Sequence, residues 1–113
     1  MPAIEYCTTG IDEIDRIRPL WEALNEHHRR INNRFRAHYE KMTFDEREAY
    51  FSLLCSTGLF RLALATDRQT GTDIGYCAGC VSEKKTGEIE SIFIAPEYRS
   101  CGIGTTLVTR VLA

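Results

Sequence analysis

Glu90-Ser91-Ile92-Phe93-Ile94-Ala95-Pro96-Glu97-Tyr98-Arg99-Ser100-Cys101-Gly102-Ile103-Gly104 reads as a strand, a proline-bearing loop and the glycine-rich opening of a helix. The β-branched and aromatic residues of 89–94 favour the strand. Beyond the glycines, Ile103, Leu107, Val108, Val111 and Leu112 recur at helical spacing, which predicts a helix over 105–113 with Ile103 on its apolar stripe. The first N–H groups of such a helix are unsatisfied donors at the positive end of its dipole. Glycines let a phosphate reach them, so the stretch describes an anion cradle. Gly-x-Gly by itself also serves as a plain turn or a tight packing point. Two further readings fall away. No Gly-x-x-x-x-Gly-Lys-Ser/Thr occurs, against a nucleoside-triphosphate loop. The strands ahead of the glycines are not built into βαβ units, as a dinucleotide-binding domain requires.

Upstream of this stretch, residues 59–65 and 74–82 are apolar runs separated by turn formers at 67–73, and a third break at 83–87 leads into the strand at 89–94. Consecutive strands joined by short turns predict an antiparallel meander. Nearer the start, residues 3–8 alternate and close on Gly10, a short first strand. Asp12 is placed to cap a helix carrying Ile14, Ile17, Trp21 and Leu24, with Pro19 either ending one helix or opening the next. Residues 27–41 are polar and basic without a strong period, and read as a mobile connection or an exposed helix. Thr43 followed by Glu46 resembles a capping box for a second helix reaching Gly58. The predicted order is β-α-α-β-β-β-α: an α+β, three-layer arrangement of a mostly antiparallel mixed sheet flanked by helices, incomplete at its C-terminal side.

The chain has 113 residues, 43% of them hydrophobic and 27% charged, with a formal net charge of -2. A chain of that length hides roughly two thirds of its unfolded surface, enough for one core, so residues 1–113 are expected to be a single domain. The charge balance lacks the long basic run of a general nucleic-acid binder. No apolar stretch approaches the roughly 18 to 20 residues of a membrane span, and no secretory signal is visible at the start. Five cysteines, Cys7, Cys55, Cys77, Cys80 and Cys101, sit mostly in apolar runs, which fits reduced thiols in a cytoplasm. Cys77 and Cys80 lie three apart on a strand and so face opposite ways, against a shared metal or disulfide.

The stretch from Glu90 to Gly104 resembles the acetyl-coenzyme A signature of the GNAT N-acetyltransferases, a strand ending Val-x-Pro followed by Arg/Gln-x-x-Gly-x-Gly/Ala. Cys101 departs from that pattern, where members commonly carry a basic or polar residue. The resemblance implies acetyl-coenzyme A as co-substrate and a primary amine as acceptor, with direct attack on the thioester. It places the pyrophosphate on the backbone of Arg99, Ser100, Cys101, Gly102, Ile103, Gly104 and Thr105, and the pantetheine arm as a pseudo-strand against Ile92, Phe93 and Ile94. An N–H near Phe93 or Ile94 would stabilise the oxyanion formed at the thioester carbonyl. An amine must lose a proton before it attacks, and Glu90, with Glu88 second, is the candidate base. A strand glutamate is more usually a solvated outward residue. Tyr98 falls where the family packs a loop residue and is given no acid role.

Other features read more plainly. His27 and His28 are adjacent, so they do not converge on a metal, and His38 lacks a partner; no metal site is expected. Arg29, Arg30, Arg34 and Arg36 form a solvated face or part of the acceptor wall. Trp21, Phe35, Tyr39, Phe44, Tyr50 and Phe51 are mostly core aromatics. The last helix runs to Ala113 without a stop signal, and the resemblance implies further strands and a helix beyond it, without which the fourth strand would have an unpaired edge and the sheet an uncovered apolar face. Association with a second copy, a homo-oligomer, is the expectation. The competing functional reading is a non-catalytic acyl-coenzyme A binding module, a truncated or degenerate relative.

Overall fold

Four strands, β1 (Ile4–Thr9), β2 (Leu59–Asp67), β3 (Thr72–Val81) and β4 (Gly87–Ile94), form one sheet in the order β1-β2-β3-β4, and each neighbouring pair is antiparallel. The computed structural model describes residues 3–31, 43–57, 59–81, 87–99 and 102–112. Alternation along β2 sends Phe60, Leu62 and Leu64 to one face and Ala63 and Ala65 to the other. The first face is covered by α1 (Arg18–Ile31) and α2 (Phe44–Thr57), through Leu20, Trp21, Phe44 and Phe51. The second is covered by α3 (Ile103–Leu112), through Ile103, Leu107 and Val111. The result is the expected α+β three-layer arrangement.

The region before α1 corrects the sequence-based expectation. Asp12 does not cap a helix: residues Ile11–Ile17 form a 3-10 helix whose cap is Gly10, and Asp12 lies inside its first turn. Pro19 opens α1 instead of ending a helix, because the first turn asks for no N–H from it. The 3-10 helix is tied to β3 by Arg16, whose Nε and Nη2 donate to Asp73 at 3.0 and 2.7 Å, while Thr66 Oγ1 donates to the same carboxylate at 2.8 Å. Burial acts to raise the Asp73 pKa, but these bonds outweigh it and hold the carboxyl below its ordinary value. At α2 the amide of Glu46 donates to Thr43 Oγ1 at 3.2 Å, the forward half of the capping box. Tyr50 departs from the core assignment at 39% exposed, whereas Trp21, Phe44 and Phe51 are buried; Phe35, Tyr39, His38, Arg34 and Arg36 lie outside the described residues.

The pairing of β3 with β4 is irregular at one point. Ala78 pairs with Ser91 and Gly79 with Ile89, so Glu90 is an extra residue, a β-bulge in β4. Gly79 lies under α3, and a Cβ there would stand 2.5 Å from Val111 Cγ1 and 2.8 Å from the Glu88 carbonyl oxygen, so glycine alone lets the helix seat this closely. Cys77 is buried on the α3 face, while Cys80 faces the other way beside Glu88, Glu90 and Cys55. Burial pushes the Cys77 thiol up to about 11.

Candidate functional site

Among the described strands β4 is at the edge of the sheet, and its backbone decides which groups are open. The Ala95 amide donates inward to Ile74 at 2.8 Å. Backbone groups alternate along an antiparallel pair, so Phe93 and Ser91 also turn toward β3 while Glu90, Ile92 and Ile94 turn outward. Two arginines bracket that outward edge. Arg47 Nη2 donates to the Glu90 carbonyl at 3.1 Å, and Arg99 Nε donates to the Ile94 carbonyl at 3.0 Å. Between them the Ile92 N–H and C=O and the Ile94 N–H have no hydrogen-bond partner among the described residues. Of the two positions named for an oxyanion donor, Ile94 has its N–H on the open edge and Phe93 does not.

The start of α3 stands beside the end of this edge. Gly102 has φ +76, the left-handed region that disfavours a side chain, and nothing lies within 4 Å of where its Cβ would be. Its carbonyl accepts the Thr106 amide at 3.2 Å, which leaves the N–H groups of Ile103, Gly104 and Thr105 as first-turn donors. Gly104 serves a different purpose. A Cβ there would meet Ile94 Cδ1 at 3.2 Å, so its absence draws the helix start against β4. Ile103 is buried and anchors the turn from beneath. The Arg99 guanidinium lies 5.4 Å from the Phe93 ring centre. Ser100 and Cys101 lie outside the described residues.

On the face covered by α1 and α2, a cleft of about 420 Å³ opens between the helices and β4, lined by Trp21, Leu24, Asn25, His28, Arg47 and residues 89–92. The bulge directs Glu90 and Ser91 to the same side of β4. Glu90 is half-buried and its Oε2 receives the Tyr50 hydroxyl at a long 3.4 Å; Ser91 Oγ is 2.6 Å from the hydroxyl of Tyr76, a fully buried side chain. Glu88, also on this side, is exposed at the rim. Glu90 thus opens on the cleft, Ile92 and Ile94 pack their side chains on the α3 face and offer backbone groups at the strand edge, and Glu88 does not line the cleft. Tyr98 is committed elsewhere: its hydroxyl donates to Asp67 Oδ2 at 2.6 Å, a bond that raises the Tyr98 pKa and lowers that of Asp67. Arg47 escaped notice in the sequence. The only trace was its spacing to Tyr50 and Phe51, three and four residues along one helix face. Among the described residues no cluster of three His, Cys, Asp or Glu could hold a metal, and no helix is long and apolar enough to cross a membrane.

Residues 20–113 match the family model of the acetyltransferase (GNAT) family. The chain belongs to that family. Solved structures share the fold at low identity. One is AAC(6')-Iy in complex with the bisubstrate analogue CoA-S-monomethyl-acetylneamine, with 14% identity, coverage of 96% of this chain and 69% of that one, and a TM-score of 0.66. Another is a GCN5-related N-acetyltransferase from Ralstonia eutropha JMP134, with 17% identity, coverage of 96% and 73%, and a TM-score of 0.67. A third is a ribosomal-protein-alanine N-acetyltransferase from Brucella melitensis biovar Abortus 2308, with 14% identity, coverage of 96% and 68%, and a TM-score of 0.58. No curated protein matches the chain.

Proposed function

We infer that this chain carries the acetyl-coenzyme A and acceptor sites of an N-acetyltransferase acting on a primary amine. The observation that supports this most is the open edge of β4 at Ile92 and Ile94, which ends at the Gly102 turn and is flanked by the Glu90 cleft. A pantetheine amide fits the Ile92 N–H and C=O as an added strand does, and the first-turn donors of α3 suit a pyrophosphate. Acetyl-coenzyme A supplies an activated acetyl group as a thioester. The Ile94 N–H is available for charge developing on a carbonyl oxygen, and Glu90, directly or through water, takes the proton an ammonium must lose. The nitrogen lone pair forms the C–N bond as the C–S bond breaks, and the departing sulfur ends as the thiol of coenzyme A with the proton released from nitrogen.

On this proposal residues 1–113 act as one domain with a cytoplasmic site of action, in keeping with the free thiols of Cys7, Cys55, Cys77 and Cys80. Self-association through the end of the sheet where Leu59, Ile89 and Leu112 are exposed belongs to the same proposal, and light scattering reads it. The test of function is calorimetry with acetyl-coenzyme A beside thiol release over a panel of amines. Gly102→Val, which fills the open approach and strains the turn, is expected to weaken cofactor binding at least tenfold in a folded variant. Unchanged affinity means the cradle is elsewhere. Binding without thiol release from any amine favours the non-catalytic module.

A further inference from the structure

Arg47 holds a charge that the proposed acetyl transfer does not use. Its guanidinium lies 4.9 Å from the ring centres of both Tyr50 and Phe51, and only the Nη2 contact to the Glu90 carbonyl ties it by hydrogen bond among the described residues. Among those residues no carboxylate is within ion-pair reach of it. A guanidinium offers five N–H donors in a rigid fork, so most of this fork is unspent. Taking a cation partly out of water without a counter-ion is unfavourable. The aromatic faces and the carbonyl bond fix the orientation beforehand, which is the arrangement that binds a planar anion with least loss of freedom.

Glu90 stands on the same cleft, its carboxylate turned to Tyr50 and not paired with Arg47. The two walls therefore present one anion and one cation, with apolar Trp21 and Leu24 and polar Asn25 and His28 completing the lining. A molecule complementary to both charges carries an amine and an anion. At about 420 Å³ the cleft sits toward the small end of the roughly 300–1,000 Å³ usual for ligand pockets. We propose that the acceptor is a small amine bearing its own carboxylate, of amino-acid type, with the nitrogen at Glu90 and the carboxylate on the Arg47 fork. This rests on the reading of the cleft as the acceptor site.

The test compares amino acids with their carboxamides, which keep the amine and the side chain and remove the charge. With acetyl-coenzyme A present, the acids are expected to show kcat/KM values about tenfold or more above the matched amides, mainly through KM, as loss of a charge-assisted contact implies. Arg47→Gln should bring the acid-to-amide ratio close to one. Arg47 also holds the Glu90 carbonyl, but a shift of Glu90 affects both members of a pair and cancels in the ratio. Calorimetry of the same pairs with coenzyme A bound reads the preference without turnover, and the unsubstituted protein alone suffices if the variant does not fold. Equal binding of acid and amide overturns the proposal, whether or not acetyl transfer occurs. Acid-selective binding with no thiol release would retain the anion site and sink the catalytic reading instead.

Discussion

Glu90 owes its place to the bulge. Without the extra residue, Ser91 and Glu90 would face opposite sides of β4, and either the carboxylate or the Tyr76-bonded hydroxyl would leave the cleft. Glu90→Gln keeps the shape and removes the base, so kcat is expected to fall about 100-fold with cofactor affinity unchanged; a retained rate and pH profile would remove Glu90 from the chemistry. Glu88→Gln, at the exposed rim, should do little. Tyr76 makes a different demand. Burial, partly offset by the Ser91 bond, raises its pKa from 10.0 to about 12. The fold therefore prefers the neutral phenol, a contribution fully present below pH about 10 and lost as pH climbs toward 12, of about 2–3 kcal/mol. Denaturant midpoints across that window should fall for the unsubstituted protein and fall less steeply for Tyr76→Phe. Identical slopes would show that the hydroxyl is not held as described.

The elements were legible where a local signal was tied to a backbone need. Thr43 before α2, the strand–proline–glycine order ahead of α3 and the opposite faces of Cys77 and Cys80 all follow from such signals. What stayed hidden was set across elements. The bulge comes from the register of β4 against β3, which no run of residues in β4 announces. Arg47 looked like one more charge on an acidic helix, and its value comes from the carbonyl that β4 brings to it. The 3-10 helix was missed because Gly10 and Pro19 punctuate the chain without saying which kind of helix lies between. Close seating of α3 is likewise a cross-element fact. Gly79→Ala places a methyl against Val111 and an immobile backbone oxygen, so it is expected to destabilise by about 1–3 kcal/mol, read as a lowered denaturant midpoint. An unchanged midpoint would mean that α3 can slide on the sheet.

Within the sheet the four strands are not equals. β2, β3 and β4 follow one another as a meander, while Thr9 at the end of β1 pairs with Leu62, with α1 and α2 lying between them in sequence. β1 is fastened from outside the sheet as well, by Arg110 Nη1 donating to Thr8 Oγ1 at 3.1 Å and the Arg110 guanidinium 5.5 Å from the Tyr6 ring centre. Closing so long a loop before any contact rewards it makes β1 a late arrival in folding. Ile4→Ala is expected to speed unfolding with little effect on the folding rate, whereas Ile92→Val should slow folding. Stopped-flow rates that place β1 in the nucleus would reverse this order. The strand that docks last is also the first to leave: hydrogen exchange at Glu5 and Cys7, whose amides turn toward β2, should run ahead of the other paired amides of the sheet, and each departure uncovers the hydrogen-bonding edge of β2, the point from which loss of the native state, and aggregation after it, is expected to begin.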